Sequence, residues 1–182
     1  MIISRMLFRI SFFGGGTDYP NRYRDNGGSV LNTIINKYCY ISSRYPPARS
    51  GIGSSSAFTV GFLNSQYALT GQIGQKRLGS NAIYVEQQII GEDVGSQDQA
   101  AAAFVGLNKM EFNGKENFIV QPVSINQQKI TSLQNHLILF FTNFSRTASE
   151  IACEQIKNTP DKGEITIEQQ NKLDNIMVTE NV

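Results

Sequence analysis

The stretch Pro47-Ala48-Arg49-Ser50-Gly51-Ile52-Gly53-Ser54-Ser55-Ser56 decides how the rest of the chain is read. Its glycines let the backbone approach a ligand closely. The apolar spacing of Ala57, Val60, Leu63 and Tyr67 behind it predicts an amphipathic helix that begins at the serines. A helix N-terminus offers unpaired N–H groups and the positive end of the peptide dipole, and serine hydroxyls bind phosphate oxygens or a magnesium ion. The segment therefore reads either as a cradle for an anion such as a nucleotide's phosphates, or as a plain turn in which serine caps a helix. It is not a Walker loop, because neither GxxxxGKS nor GxxxxGKT occurs and no lysine stands beside the serines.

Toward the N-terminus, Phe8-Arg9-Ile10-Ser11-Phe12 alternates strictly, with Phe8, Ile10 and Phe12 on one face and Arg9 and Ser11 on the other. That is the pattern of a half-buried strand. It enters Gly14-Gly15-Gly16-Thr17-Asp18-Tyr19-Pro20, where three glycines cannot hold a regular element. Arg9 faces whatever this run encloses, with Asp18 the nearest carboxylate; a surface ion pair accounts for both equally well. After Gly27-Gly28, the β-branched and aromatic stretch from Ser29 to Ser43 predicts one long strand or a hairpin, and Pro46-Pro47 breaks the chain.

Toward the C-terminus a second helix is expected from about Ser80 to Ile90, with Glu86 on the stripe of Ile83 and Ile90. A carboxylate there either meets a cation or metal or lies at a stripe edge open to water. Gly91 to Gln97 reads as a loop, and Asp98 stands before the helix-prone Ala100 to Ala103. An aspartate so placed is an N-cap, worth about 1 kcal/mol, or a general base near a reacting hydroxyl. Strands are expected at Phe118–Val123 and His136–Thr142, and a helix from about Thr147 to Lys157. His136 reads as a strand-end residue, and without a GxSxG elbow Ser-His-Asp chemistry has little support. Helices and strands mix without a βαβα rhythm, which favours an α+β fold.

The 182 residues suit one ordinary domain, or a domain and a fragment. Sixteen Lys and Arg against 15 Asp and Glu leave a net charge of +1, so the chain lacks the basic stripe of a nucleic-acid binder. Charged residues are 17% of the chain, and 16 Asn and 14 Gln give a polar but weakly charged surface. Cys39 and Cys153 stand far apart with one histidine in the chain, which argues against a disulfide framework and a zinc site. With no long apolar run and no signal-peptide pattern at the N-terminus, the expected setting is cytoplasmic, with no membrane partner.

Taken together, the motifs resemble the GHMP kinases, the superfamily of galactokinase, homoserine kinase and mevalonate kinase. Pro47 to Ser56 follows P-x-x-x-G-I-G-S-S-S without a gap, and Arg9 to Pro20 resembles the first motif of the branch containing heptose-7-phosphate kinase. Val94-Gly95-Ser96-Gln97-Asp98-Gln99 and the segment Phe140 to Ser149 resemble later landmarks of that branch. The resemblance implies an α+β N-terminal domain with a left-handed βαβ crossover over residues 1–145, shortened near 45–46, and the start of an otherwise largely absent C-terminal domain over 146–182. It further implies ATP and Mg²⁺ as cofactors and a heptose-7-phosphate-like sugar phosphate as substrate, and is compatible with a homo-oligomer. By position, Pro47, Gly51, Ile52, Gly53, Ser54, Ser55 and Ser56 would hold the triphosphate, and Ser55 and Glu86 the magnesium. Asp98 would be the base, Arg9 would stabilise charge beside it, and Gly16, Thr17 and Asp18 would contact the sugar. The alternative reading is a shortened, catalytically inactive relative that binds a ligand or a protein partner.

Overall fold

The 15 residues Gly28–Ser42 run as one continuous strand rather than a hairpin, and this strand organises the molecule. The structure is a computed structural model that describes residues 3–42, 54–114 and 117–138. In chain order these form β1 (Ile3–Phe13), α1 (Pro20–Asn26), β2 (Gly28–Ser42), α2 (Ser54–Thr70) and α3 (Gln75–Tyr84). A π-helical turn, Val85–Ile90, prolongs α3, and then come α4 (Gln97–Ala103), β3 (Leu107–Asn113), β4 (Asn117–Pro122) and α5 (Gln127–Asn135). The strands make one sheet in the order β1-β2-β3-β4, each neighbouring pair antiparallel. Helices and strands are mixed as an α+β fold requires. A left-handed βαβ crossover needs a parallel pair, and none occurs among the described residues.

Helices α2, α3 and α4 pack on one face of the sheet. Met6 of β1 joins Ala57, Val60, Leu78, Ala82, Ala102 and Ala103 in one buried cluster. Val30, Met110, Phe112 and Phe118 meet Tyr23, Ala100 and Ala101 in a second. The alanine run of α4 belongs to both, because side chains of one methyl let the helix lie close to the sheet. The stripe expected on α2 is the one buried: Ala57 and Val60 inside, Leu63 and Tyr67 packed against them.

The alternation expected in β1 holds only in part. The β1–β2 register shifts between Leu7 and Arg9, and this irregularity sends Phe8 to the helix-side cluster with Met6. Ile10 and Phe12 instead line an apolar groove of about 470 Å³ with Leu107 and with Ile130, Leu133 and Leu137. As side chains alternate along a strand, the face of β1 turned to α4 therefore carries Arg9 and Ser11.

Three further differences have local causes. β3 escapes the sequence reading because its buried set, Asn108, Met110 and Phe112, opens on an amide, while Lys109 and Glu111 pair 3.0 Å apart on the other side. The helix expected from Ser80 begins earlier, at Gln75, and ends in the π-helical turn. His136 caps the C-terminal end of α5, with Nδ1 2.7 Å from the Ser132 carbonyl, and is not part of a strand. The loop 47–53, the junction 45–46, the remainder of the strand expected to 142, the helix expected at 147–157 and the segment 146–182 lie outside the described residues.

Candidate active site

Arg9 is carried by the β1 face turned toward α4, and its guanidinium pairs with the Asp98 carboxylate in the first turn of that helix. Asp98 Oδ1 is buried and meets no other group. Asp98 is not the N-cap: Ser96 occupies that place, and the helix begins at Gln97. Turned so that its oxygen faces Arg9, the Gln97 carboxamide accepts from Nη2 at 2.8 Å. The same amide approaches the Ser11 hydroxyl to 3.4 Å. Burial draws the Arg9 pKa down, while Asp18 and Tyr19 act through space to raise it. Tyr19 is itself pushed up to about 12 by burial and by Asp18.

The expected Arg9–Asp18 proximity thus becomes Arg9–Asp98 in direct contact and Asp18 at longer range. Asp18 is 6% exposed and consumes its carboxylate on the backbone. Oδ1 accepts from Gly16 N and Oδ2 from Gln97 N, both at 3.1 Å, while its carbonyl accepts from Ser96 N at 3.0 Å. A Cβ at Gly95 would collide with this carboxylate, so the close approach of the two loops requires glycine there. Asp18 therefore ties the glycine turn to the start of α4 and fixes where Asp98 stands.

Thr17 sits deeper still, with no exposed surface. Its hydroxyl lies 2.8 Å from the Gly14 carbonyl and 3.0 Å from that of Ser29, and accepts from Ser29 N at 3.0 Å. In this arrangement the Thr17 hydroxyl and both Asp18 carboxylate oxygens each hold the backbone. The two residues hold the turn from behind, and half-buried Gly16 is the part of that trio nearer the surface.

Glu86 forms the second centre. Its side chain is 1% exposed, and Oε2 accepts from Ser56 Oγ at 2.8 Å and from Gln99 Nε2, while Oε1 is buried with no partner. Burial pushes its pKa up, the neighbouring polar side chains of Thr59, Ser56 and Gln99 oppose that, and Glu92 adds to it. The serine brought to Glu86 is Ser56; Ser55, expected beside it, is exposed in the first turn of α2. Among the described residues no group of three His, Cys, Asp or Glu gathers as a metal cage, and no helix is long and apolar enough to cross a membrane. Pro47, Gly51, Ile52 and Gly53 lie outside the described residues, and Ser54 opens α2.

The sequence pattern assigns no individual role to Gln97 and Gln99, although they flank Asp98. On α4 they diverge to Arg9 and to Glu86 respectively, so one short helix spans both centres. A glutamine on either side of a carboxylate at a helix start was the available signal.

Residues 26–106 match the family model of the GHMP kinases N terminal domain. A D-glycero-alpha-D-manno-heptose 7-phosphate kinase from Campylobacter jejuni is 35% identical over 106 residues, a match covering 58% of this chain and 31% of that protein. Among solved structures, a D-glycero-D-manno-heptose 1-phosphate kinase from Bacteriodes thetaiotaomicron superposes with a TM-score of 0.71 at 23% identity, over 93% of this chain and 74% of that one. The Streptococcus pneumoniae phosphomevalonate kinase superposes with a TM-score of 0.53 at 14% identity, over 97% and 79% of the two chains. The ordered motifs, the sheet with its helical layer and these matches point the same way: residues 26–106 of this chain are similar to the GHMP kinases N terminal domain.

Proposed function

We propose that the chain is a sugar-phosphate kinase, or the part of one carrying its catalytic groups, which moves the γ-phosphoryl of ATP to a hydroxyl of a heptose-phosphate-like sugar. The observation that carries this reading is the Arg9–Asp98 pair, locked by Asp18 and Gln97 at the start of α4. Phosphoryl transfer asks a protein mainly for positioning and charge neutralisation. Asp98 accepts the proton of the attacking hydroxyl as the O–P bond forms, and Arg9 balances the charge that gathers there. The segment 47–56 binds the triphosphate with backbone N–H groups and with the hydroxyls at the start of α2.

The residues present fit a magnesium ion. Glu86 leaves one buried oxygen unpaired, and Mg²⁺ is a hard cation satisfied by one or two carboxylates plus phosphate oxygens and water. Glu86 Oε1 would hold it, with the hydroxyl of Ser55 or Ser56. When bound, the ion neutralises charge on the phosphates. Ser56 and Gln99 orient the carboxylate whether or not the ion is there.

Isothermal titration with MgATP, followed by a coupled ADP-release assay on heptose and hexose phosphates, tests the reading. Binding with sugar-dependent ADP release supports it. Binding without release supports the inactive relative instead, and no binding refutes both.

The metal centre makes its own predictions. Ser55→Ala and Glu86→Gln are each expected to flatten the magnesium dependence of ATP binding. Equal affinities with and without metal, in wild type and variants alike, would remove the assignment. Without metal, burial raises Glu86 above its ordinary value of 4.5. Its contribution to stability is therefore complete below that value and is lost as pH rises through the raised folded pKa. Urea unfolding in chelator is expected to show wild type losing stability relative to Glu86→Gln as pH rises above 4.5. A difference that stays constant with pH contradicts the burial of the charge.

A further inference from the structure

Gln87 follows Glu86 in the π-helical turn that ends α3, and the mechanism above leaves it without a task. A π-turn departs from the regular helical ladder and recurs at functional sites. This one closes on Gly91, whose backbone is left-handed at φ 74. The amides of Gly91 and Glu92 both donate to the Glu86 carbonyl, the second at 3.0 Å. Glu86 is thus tied by its backbone to the loop that leads into α4, and by its carboxylate to Ser56 and Gln99. Gln87 reaches the far end of the same loop. Its Nε2 donates to the Val94 carbonyl at 3.0 Å and to the Ser96 hydroxyl at 3.1 Å.

The use made of Ser96 shows what this contact does. A serine at an N-cap ordinarily turns its hydroxyl to the first amides of its own helix, yet the Ser96 side chain makes no such bond. Ser96 is 1% exposed, and its hydroxyl meets Gln87 Nε2 and, at 3.4 Å, the Tyr23 hydroxyl of α1 instead. Close packing is what normally bars a buried segment from shifting. Here a cleft of about 80 Å³ runs along Tyr23, Ile83, Gln87, Ser96 and Phe118. Hydrogen bonds therefore set where Ser96 stands, and from Ser96 the chain passes directly into Gln97, Asp98 and Gln99.

We propose that Gln87 is a positioning residue: it holds the start of α4, and with it Asp98, in place relative to the Glu86 carboxylate carried by the same turn. This rests on the kinase reading for the chemistry that the placement serves, though not for the placement itself. In a group transfer, a misplacement of about 1 Å can cost about 10²-fold in rate. The test compares the full chain as wild type, Gln87→Met and Ser96→Ala, with the exposed Gln88→Met as control. Methionine keeps the length of glutamine and donates nothing. One readout is hydrogen exchange of the amides at positions 96 and 97, which donate to Asp18; the other is sugar-dependent ADP release.

Exchange at 96 and 97 is expected to quicken at least about tenfold in Gln87→Met, with the amides of β2 unchanged. The kcat is expected to fall about 10–100-fold, while the KM for ATP keeps its wild-type value because Ser56 and Gln99 still hold Glu86. Ser96→Ala is expected to move both readouts the same way and less far, since it leaves the bond to Val94, and Gln88→Met is expected to match wild type. Unchanged exchange in Gln87→Met would overturn the proposal, as would exchange that quickens equally in β2. Faster exchange with an unchanged kcat would show that Asp98 does not depend on Gln87, and a rise in the KM for ATP that accounts for the whole loss would place Gln87 at the nucleotide centre; either overturns it. A wild type that releases no ADP refutes the kinase reading alone, and the exchange at 96 and 97 then decides whether Gln87 holds the start of α4.

Discussion

Asp98→Asn is expected to slow phosphoryl transfer by about 10²–10⁴-fold, the usual cost of losing a general base, while MgATP still binds and the protein still folds. Asparagine keeps an acceptor oxygen for Arg9 but takes no proton from the attacking hydroxyl. The fold survives because the pair is partly open to water, with side-chain exposures of 21% for Arg9 and 27% for Asp98. Ion pairs in such settings contribute about 0–1 kcal/mol, and Asp18 continues to fix the start of α4 through Ser96 and Gln97. The check is sugar-dependent ADP release alongside titration with MgATP. Turnover equal to wild type would leave Asp98 with the ion pair alone, and lost MgATP affinity would move it to the nucleotide side.

Gly14→Ala is expected to be the most damaging single methyl in the glycine turn. Gly14 sits at φ +80, and a Cβ there would run into the Ser29 carbonyl. The left-handed backbone costs an L-residue about 1–2 kcal/mol, and forcing an extra carbon into a packed site about 1–3 kcal/mol. Together these give a loss of about 2–5 kcal/mol in urea unfolding. The Thr17 hydroxyl bridges Gly14 and Ser29, so the shift also disturbs the turn that carries Asp18. Gly15→Ala is the control: a Cβ there meets nothing within 4 Å, and a change within about 0.5 kcal/mol is expected. Equal stabilities for the two variants would show that the turn relaxes freely and is not what holds Asp18 in place.

Much of this architecture was legible in the residues. Composition marked the β2 stretch as one strand or a hairpin, and periodicity marked the α2 stripe of Ala57 and Val60 and the strand around Ile10, because a period of two or of 3.6 follows from backbone geometry before any partner is known. Linear order likewise placed Glu86 and Asp98 on either side of the loop read from Gly91 to Gln97. What escaped was whatever depends on two segments meeting. Alternation grouped Phe8 with Ile10, yet a register irregularity against β2 sent Phe8 to the helix side. Asp98 looked like a helix cap until Arg9 arrived from β1, and Ser55 looked like the partner of Glu86 until the rotation of α2 delivered Ser56. Thr17 and Asp18 are placed by the resemblance at the sugar, and the packing of Ser29 and Gln97 against them gives both a structural task that no local pattern announces. The sequence by itself determined the elements and the inventory of chemistry-bearing side chains, because these follow from local geometry and residue type. Only the tertiary structure decided which of those side chains face one another and which are spent holding the backbone, since hydrogen-bond partners 79 or more residues apart, such as Asp18 and Gln97, leave no local trace.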